Sequence, residues 1–457
     1  MIAPARRAAQ AVLRTINAEE DNLANALDRA RRSLDDPRDR ALVGDITLGV
    51  CRWRGALDHI IGQASSRPLS TIDASVLNIL RAAAYQLLYL DRVPAYAVVT
   101  DAVSLTHESG VGSASSFVNA ILRSLAGQRC PLSLPAPPIF AAGTPVDRTA
   151  ALDYLSVTLS HPRWLMERWL KRDGWQAAAA WARFNNRPAP VSVRPNLAHS
   201  SRARLQATLS AHGVRTVPTR LAPHGLVVTA GNPLPTTLAE NGQLVVQGEA
   251  SQLVVELAAD LVDPTDSAPL LDLCAAPGGK TIGLAAVSND RIFVASDLRH
   301  GRVALLAQTV KNHRMSSVAV TQLDAEVPLP FGVTFGGILL DAPCSGLGII
   351  RRDPDIRWRR SADQLAGFAD RQFAMLTNAA AVLRPGGWLV YSTCSSEPEE
   401  NDGVVERFLD RNPTFSVFRS TSLALAPLLD GSGFLRTLPF RDGVDAFFGA
   451  AFRRKIP

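Results

Sequence analysis

The chain has 457 residues, 47% of them hydrophobic and 20% charged, enough for two or three domains with cores of their own. No run of about 20 apolar residues is present to span a bilayer, and the opening Met1-Ile2-Ala3-Pro4-Ala5-Arg6-Arg7 lacks the apolar core of a signal peptide, so a cytoplasmic protein is expected. A net charge of +6 admits an anionic partner such as nucleic acid without requiring one.

Residues 1–126 carry apolar side chains at helical spacing, in Ala8 to Ile16, Ile46 to Trp53 and Val76 to Leu90, which predicts an all-α bundle. Its scattered arginines (6, 7, 14, 29, 31, 32, 52 and 54) suit a solvated face and a phosphate-binding face alike. Residues 127–150 gather Pro131, Pro135, Pro137, Pro138 and Pro145, a composition that precludes a regular element and favours an extended tether. Residues 151–245 are mixed. A helical signal at Trp164 to Trp181 precedes short apolar runs at Val191-Ser192-Val193 and Gly225 to Val228, so a small α+β unit is expected.

From 246 to 457 strands and helices alternate, which predicts a parallel, doubly wound sheet. Strands are expected at 269–273, 291–297, 318–324, 337–341 and 387–392, and helices at 279–287, 300–313, 361–383 and 399–411. Segments 434–438 and 446–453, separated by Asp442-Gly443, predict a terminal antiparallel pair.

The first of these strands ends in Leu271-Asp272-Leu273-Cys274-Ala275-Ala276-Pro277-Gly278-Gly279-Lys280-Thr281. Two glycines among small residues let a ligand approach the backbone at a strand-to-helix turn. A nucleoside-triphosphate loop needs Gly six residues before its Lys, where this chain has Cys274, and the dinucleotide fingerprint is absent. An S-adenosylmethionine site or a purely structural turn remains. Asp297 and Asp324, ending the next two strands, favour the site, because ligands bind at this edge of open sheets and acids there can take ribose hydroxyls and the adenine amino group.

The cysteines, at 51, 130, 274, 344 and 394, are too scattered for a disulfide framework and offer no C-x-x-C metal spacing, so reduced thiols and no metal are expected. Two of them stand at strand ends, in Asp341-Ala342-Pro343-Cys344-Ser345 and in Ser392-Thr393-Cys394-Ser395. In a doubly wound sheet both would face one pocket, where a thiolate can add to carbon-6 of a pyrimidine and make carbon-5 nucleophilic enough to accept a methyl group. Asp341 would hydrogen-bond or protonate ring N3, and Lys280 would hold the exocyclic oxygen or keep a thiol ionised. Spacing leaves open which thiol attacks and which assists release.

Asp272 to Thr281, Leu340 to Arg352 and Ser392 to Ser395 resemble the motifs of the RNA (cytosine-5) methyltransferases of the Sun/Fmu type, the ribosomal small-subunit methyltransferase B group. Gln247 to Leu253 and Leu435 to Gly443 agree, and Ile79 to Leu88 with Phe117 to Arg123 resemble a NusB-like RNA-binding domain. The resemblance covers nearly the whole chain. It implies a multidomain protein: a NusB-like bundle, a small α+β domain and an S-adenosylmethionine-dependent methyltransferase fold. It further implies Cys394 as nucleophile, Cys344 as the releasing thiol, and Cys274, Ala275, Ala276, Pro277, Gly278, Gly279, Lys280, Asp297, Asp324 and Asp341 around S-adenosyl-L-methionine and the base. Gly248 departs from a frequent Asp, and Thr100 from a frequent Asn.

The segment after Cys344 holds Arg351, Arg352, Arg357 and Trp358, a set suited to phosphate contacts and base stacking. The expected function is methylation of cytosine in small-subunit ribosomal RNA by a monomeric enzyme. Alternatives are a transfer-RNA cytosine-5 methyltransferase and a non-catalytic RNA-binding or assembly factor.

Overall fold

The computed structural model describes residues 2–127, 133–139, 146–234, 236, 238, 241–288 and 291–457, so Cys130, Pro131 and Pro145 of the predicted tether lie outside the described residues. Pro135, Pro137 and Pro138 belong to no regular element. The chain divides into two compact units, one running up to Arg187 and including Ile350–Ser361, the other made of Pro188–Ile349 and Ala362–Pro457.

The first unit is helical: α1 (Pro4–Asn17), α2 (Leu23–Arg32), α3 (Pro37–Ala64), α4 (Ala74–Tyr89), α5 (Ala95–Glu108), α6 (Ser115–Gly127), α7 (Arg148–Asp153) and α8 (Arg163–Asn185). The local sequence sets their starts. Asp73 accepts from the Ser75 and Val76 amides at the head of α4, and Asn22 from the Asn25 amide at α2, caps each contributing about 1 kcal/mol. Apolar side chains at helical spacing, such as Val12, Leu13 and Ile16 of α1 and Ile79, Leu80 and Ala83 of α4, meet in one core. Arg6, expected on the surface, is instead 9% exposed and pairs with Asp101 at 2.5 Å. The helices of residues 148–185 group with this bundle, whereas the sequence reading joined them to the small α+β segment.

The second unit holds two sheets. The smaller has the order β2-β3-β1-β4, from β1 (Ser192–Pro195), β2 (Arg215–Pro218), β3 (Leu226–Ala230) and β4 (Leu244–Val246). The larger comprises β5 (Leu270–Leu273), β6 (Phe293–Asp297), β7 (Val318–Gln322), β8 (Phe335–Asp341), β9 (Leu383–Thr393), β10 (Phe415–Val417), β11 (Leu435–Thr437) and β12 (Phe447–Arg454). Its order is β10-β12-β9-β8-β5-β6-β7, with β11 on β12. The five strands from β9 to β7 are parallel, and β12 runs antiparallel to β9.

Near-continuous apolar runs make such strands because both faces are covered. Leu270, Leu339, Trp388 and Val390 enter one core, while Leu271, Ile338, Leu340, Leu389 and Tyr391 enter the other. After β7 the chain returns to the opposite side of β5. The order therefore reverses between β5 and β8, and the carboxyl ends of those strands border the crevice where open α/β sheets bind ligands.

Candidate active site

At the end of β5, Cys274 adopts φ +62° and Gly278 φ +107°, so the backbone turns abruptly into the helix Gly279–Ala285. A Cβ on Gly278 would stand 3.0 Å from Thr309 and 3.1 Å from Leu306, and the left-handed φ adds strain for any other residue. Asp272, fully buried beneath the turn, accepts from Thr281 Oγ1 at 2.6 Å. Burial pushes its carboxyl up to about 7, against the Thr281 hydrogen bond. Burial likewise raises the Cys274 thiol, which makes it a wall of the turn rather than a nucleophile. Arg194 braces the turn by donating to Gly279 O at 2.8 Å and to Gln247 Oε1 at 2.6 Å.

Along the same edge, Asp297 ends β6 and accepts from the Ala276 amide at 3.2 Å and from Arg302 Nε at 3.0 Å. Asp324, beyond β7, caps the Glu326 amide at 2.8 Å. The small-residue turn, the Ala276 amide anchored on Asp297 and the two edge carboxylates suit a cofactor that presents hydroxyls, an amino group and a cation.

The ends of β8 and β9 carry Asp341 and the two thiols. Asp341, the last residue of β8, accepts from Lys280 Nζ at 2.5 Å and from Ser392 Oγ at 2.8 Å. Parallel pairing of β8 with β9 sets Asp341 opposite Ser392, so the loops that follow bring Cys344 and Cys394 side by side, their sulfurs 3.3 Å apart. The hydrogen bond with Cys394, then burial, raises the Cys344 thiol well above its ordinary range, so Cys344 keeps its proton. Lys280, Asp341, Cys344 and Cys394 thus form one cluster.

The segment after Cys344 departs from expectation. Residues 350–361 belong to the helical unit. Arg357 is 0% exposed, and its guanidinium donates to Ser160 O and Asn186 Oδ1 at 2.9 Å each. Trp358 donates its indole N–H to Cys51 O at 2.6 Å, and Arg54 lies 5.4 Å over its ring. Arg357, wholly buried, is therefore an anchor of this loop and not a phosphate contact, and Trp358 is tied to Cys51 through its indole N–H. Arg351 lies 4.5 Å over the Phe184 ring, and Arg352 is exposed.

Sequence reasoning also missed Glu400, Asn401 and Gln372, which hold the two thiol loops. Their only signal was the Glu-Asn pair six and seven residues after Cys394. Among the described residues no cluster of His, Cys, Asp or Glu is placed to hold a metal, and no helix is long and apolar enough to cross a membrane.

Comparison with known proteins agrees with this geometry. Residues 259–453 match the family model "16S rRNA methyltransferase RsmB/F", residues 3–127 the NusB family, and residues 161–234 the RsmF/B-like ferredoxin-like domain. The chain is 32% identical to ribosomal RNA small subunit methyltransferase B of Xylella fastidiosa over 100% of this chain and 99% of that one. It is 34% identical to the Pseudomonas putida protein of the same name, over 90% and 88%. The chain belongs to the ribosomal RNA small subunit methyltransferase B family. Its architecture is accordingly a NusB domain, a ferredoxin-like domain and an S-adenosylmethionine-dependent methyltransferase fold. The solved structure of PH0851 superposes over 99% of each chain with a TM-score of 0.79 at 23% identity, a likeness of fold. A methyltransferase homolog from Pyrococcus horikoshii, 26% identical, covers 67% of this chain with a TM-score of 0.57.

Proposed function

We propose that this member of the family methylates carbon-5 of a cytosine in small-subunit ribosomal RNA through a covalent adduct between Cys394 and carbon-6 of the base. The observation that carries the proposal is the pair of sulfurs 3.3 Å apart beside the Lys280–Asp341 ion pair. S-adenosyl-L-methionine supplies an electrophilic methyl group when bound, and Cys274 to Lys280, Asp297, Asp324 and Asp341 would hold it.

Each side chain has a task. Cys394 adds to carbon-6 as thiolate. Charge then develops on the ring, where the Lys280–Asp341 pair supplies a hydrogen bond or proton at N3, and a dry, preorganised donor of this kind is worth several kcal/mol in a transition state. Carbon-5 becomes the nucleophile that takes the methyl group. Loss of its proton to water restores the ring double bond and returns the electron pair of the carbon–sulfur bond to Cys394, whose departing sulfur meets the Cys344 S–H. The cationic chain, with Arg352 exposed in the segment that follows Cys344, suits an RNA substrate.

Cys394→Ala should abolish methylation and any adduct, whereas Cys344→Ala should accumulate an enzyme–RNA adduct that survives denaturing electrophoresis. Reversed outcomes would make Cys344 the nucleophile. Bisulfite sequencing of ribosomal and transfer RNA from cells with and without the gene identifies the substrate, and a loss confined to transfer RNA would overturn the ribosomal assignment.

A further inference from the structure

We infer that Glu400 is a positioning residue of the reaction: its buried carboxylate ties the Cys344 loop to the Cys394 loop and fixes the distance between the two thiols. The inference deepens the covalent reading above and rests on it for its catalytic consequence.

Glu400 is 0% exposed. One carboxylate oxygen, Oε2, accepts from the Ser345 amide at 2.7 Å and from Gln372 Nε2 at 3.0 Å, and the other accepts from Ser395 Oγ. Ser345 directly follows Cys344 and Ser395 directly follows Cys394. A single carboxylate therefore bridges the residues beyond both thiols, and the Ser345 and Ser395 hydroxyls close the bridge at 3.1 Å.

The residues before the thiols are held from the same side. Gln372 donates to Pro343 O at 2.9 Å, and Asn401 accepts from Thr393 Oγ1 at 2.6 Å while donating to Ser395 O at 3.1 Å. Tyr391 secures the base of the network by donating to Glu400 O at 2.5 Å.

Burying a carboxylate is expensive unless its lone pairs are met, and here three donors meet it. A core that needed only volume would be served by a Met or Leu at this position. A charge whose donors come from both thiol loops and from Gln372 instead fixes the register between those loops, because neither can move without breaking a charge-assisted hydrogen bond. Attack and release need that register, since the second sulfur must stay within reach of the first.

Glu400→Ala removes the bridge, and Glu400→Gln keeps most of it. The Gln carbonyl can take the Ser345 and Gln372 donors. Its amide then faces Ser395 Oγ, which can accept and pass its own proton to Ser345 Oγ. The test is run on the full-length protein without RNA first, using diamide, which accepts one hydrogen from each thiol to become a hydrazine as the Cys344–Cys394 disulfide forms. Peptide mapping follows the rate.

Glu400→Ala should slow this coupling by about 100-fold, the penalty expected of a displacement near 1 Å, and Glu400→Gln should stay within about fivefold of the parent. Affinity for S-adenosylmethionine by calorimetry should be unchanged in both, which global damage would not allow. Methyl transfer should follow the same order in kcat, with KM for RNA unmoved. Coupling in Glu400→Ala at the parental rate would overturn the inference, as would a loss of activity in Glu400→Ala without slower coupling. If the parent transfers no methyl group to any RNA while the coupling rates behave as expected, the covalent reading fails and the positioning role stands. Should Glu400→Ala not fold, Ser395→Ala leaves two of the three donors in place and should slow coupling about tenfold, on the same scale of misplacement. An unchanged rate there also overturns the inference.

Discussion

Two loops leave the sheet after its two thiols, and each turns charged side chains inward, Arg357 in one and Glu400 in the other among them. The loop after Cys344 sends Arg357 into the helical unit, where neutral acceptors, Ser160 O and Asn186 Oδ1, receive it. The loop after Cys394 turns Glu400 inward to donors supplied by both thiol loops and by Gln372. The sequence context of the two is similar, a charged run just past a cysteine. The surroundings give them different partners: Arg357 anchors a segment far along the chain from its partners, and Glu400 joins the residues that follow the two thiols.

The strongest way to break this contrast is Arg357→Ala. If the guanidinium is an anchor, its loss leaves a cavity and two unpaired acceptors, and the helical unit should lose about 3–5 kcal/mol in denaturant unfolding. Arg357→Met refills the volume and removes a buried cation, so it should recover more than half of that loss. A stable Arg357→Ala protein whose RNA binding becomes less salt-dependent would return Arg357 to the phosphate-contacting group.

A third buried charge sharpens the comparison. Asp272 has donor support on one oxygen from Thr281, but Oδ1 has no hydrogen-bond partner, and its carboxyl is pushed up from 3.8 to about 7. The folded state therefore holds on Asp272 a proton that the unfolded state has released between those values, and the contribution of Asp272 to stability falls as pH rises from about 4 to about 7, by up to about 1.4 kcal/mol per unit. Above pH 7 the slope vanishes. Asp272→Asn keeps the Thr281 hydrogen bond and removes the titration, so it should flatten that slope and gain about 2 kcal/mol at pH 8. An unchanged slope in urea titrations from pH 4 to 8 would place the titrating group elsewhere.

These three charges mark where sequence reasoning ends. The strand ends at Leu273, Asp341 and Thr393 were legible because apolar runs stop at small or turn-forming residues, and the parallel order followed from alternation with helices. The β11–β12 pair was legible from Asp442-Gly443, but not the insertion of β12 beside β9, a pairing across more than fifty residues that no local signal encodes. The thiols and Lys280 were singled out because the expected chemistry requires those residue types. Arg357 was misjudged because an arginine between two aspartates and a tryptophan has the composition of an RNA-facing loop, and its acceptors lie 171 and 197 positions away. Glu400 was hidden inside a predicted helix of residues 399–411, whereas the helix begins at Asp402 and Glu400 sits in the turn before it.

The smallest expected effect concerns what remains of the arginine run. Arg352, unlike Arg357, is exposed, and it lies in sequence between the thiol loop and the buried anchor. An exposed guanidinium that contacts a phosphate releases roughly one counterion, so Arg352→Ala should lower the slope of log affinity against log salt by about one and weaken binding evenly across RNA sequences. Fold stability should stay within about 0.5 kcal/mol, as for other surface substitutions. Filter binding from 50 to 200 mM salt separates the cases. A reduced slope for Arg352→Ala beside an unchanged one for Arg357→Met assigns RNA contact and anchoring to different arginines of one loop, and two unchanged slopes would remove the whole loop from the RNA interface.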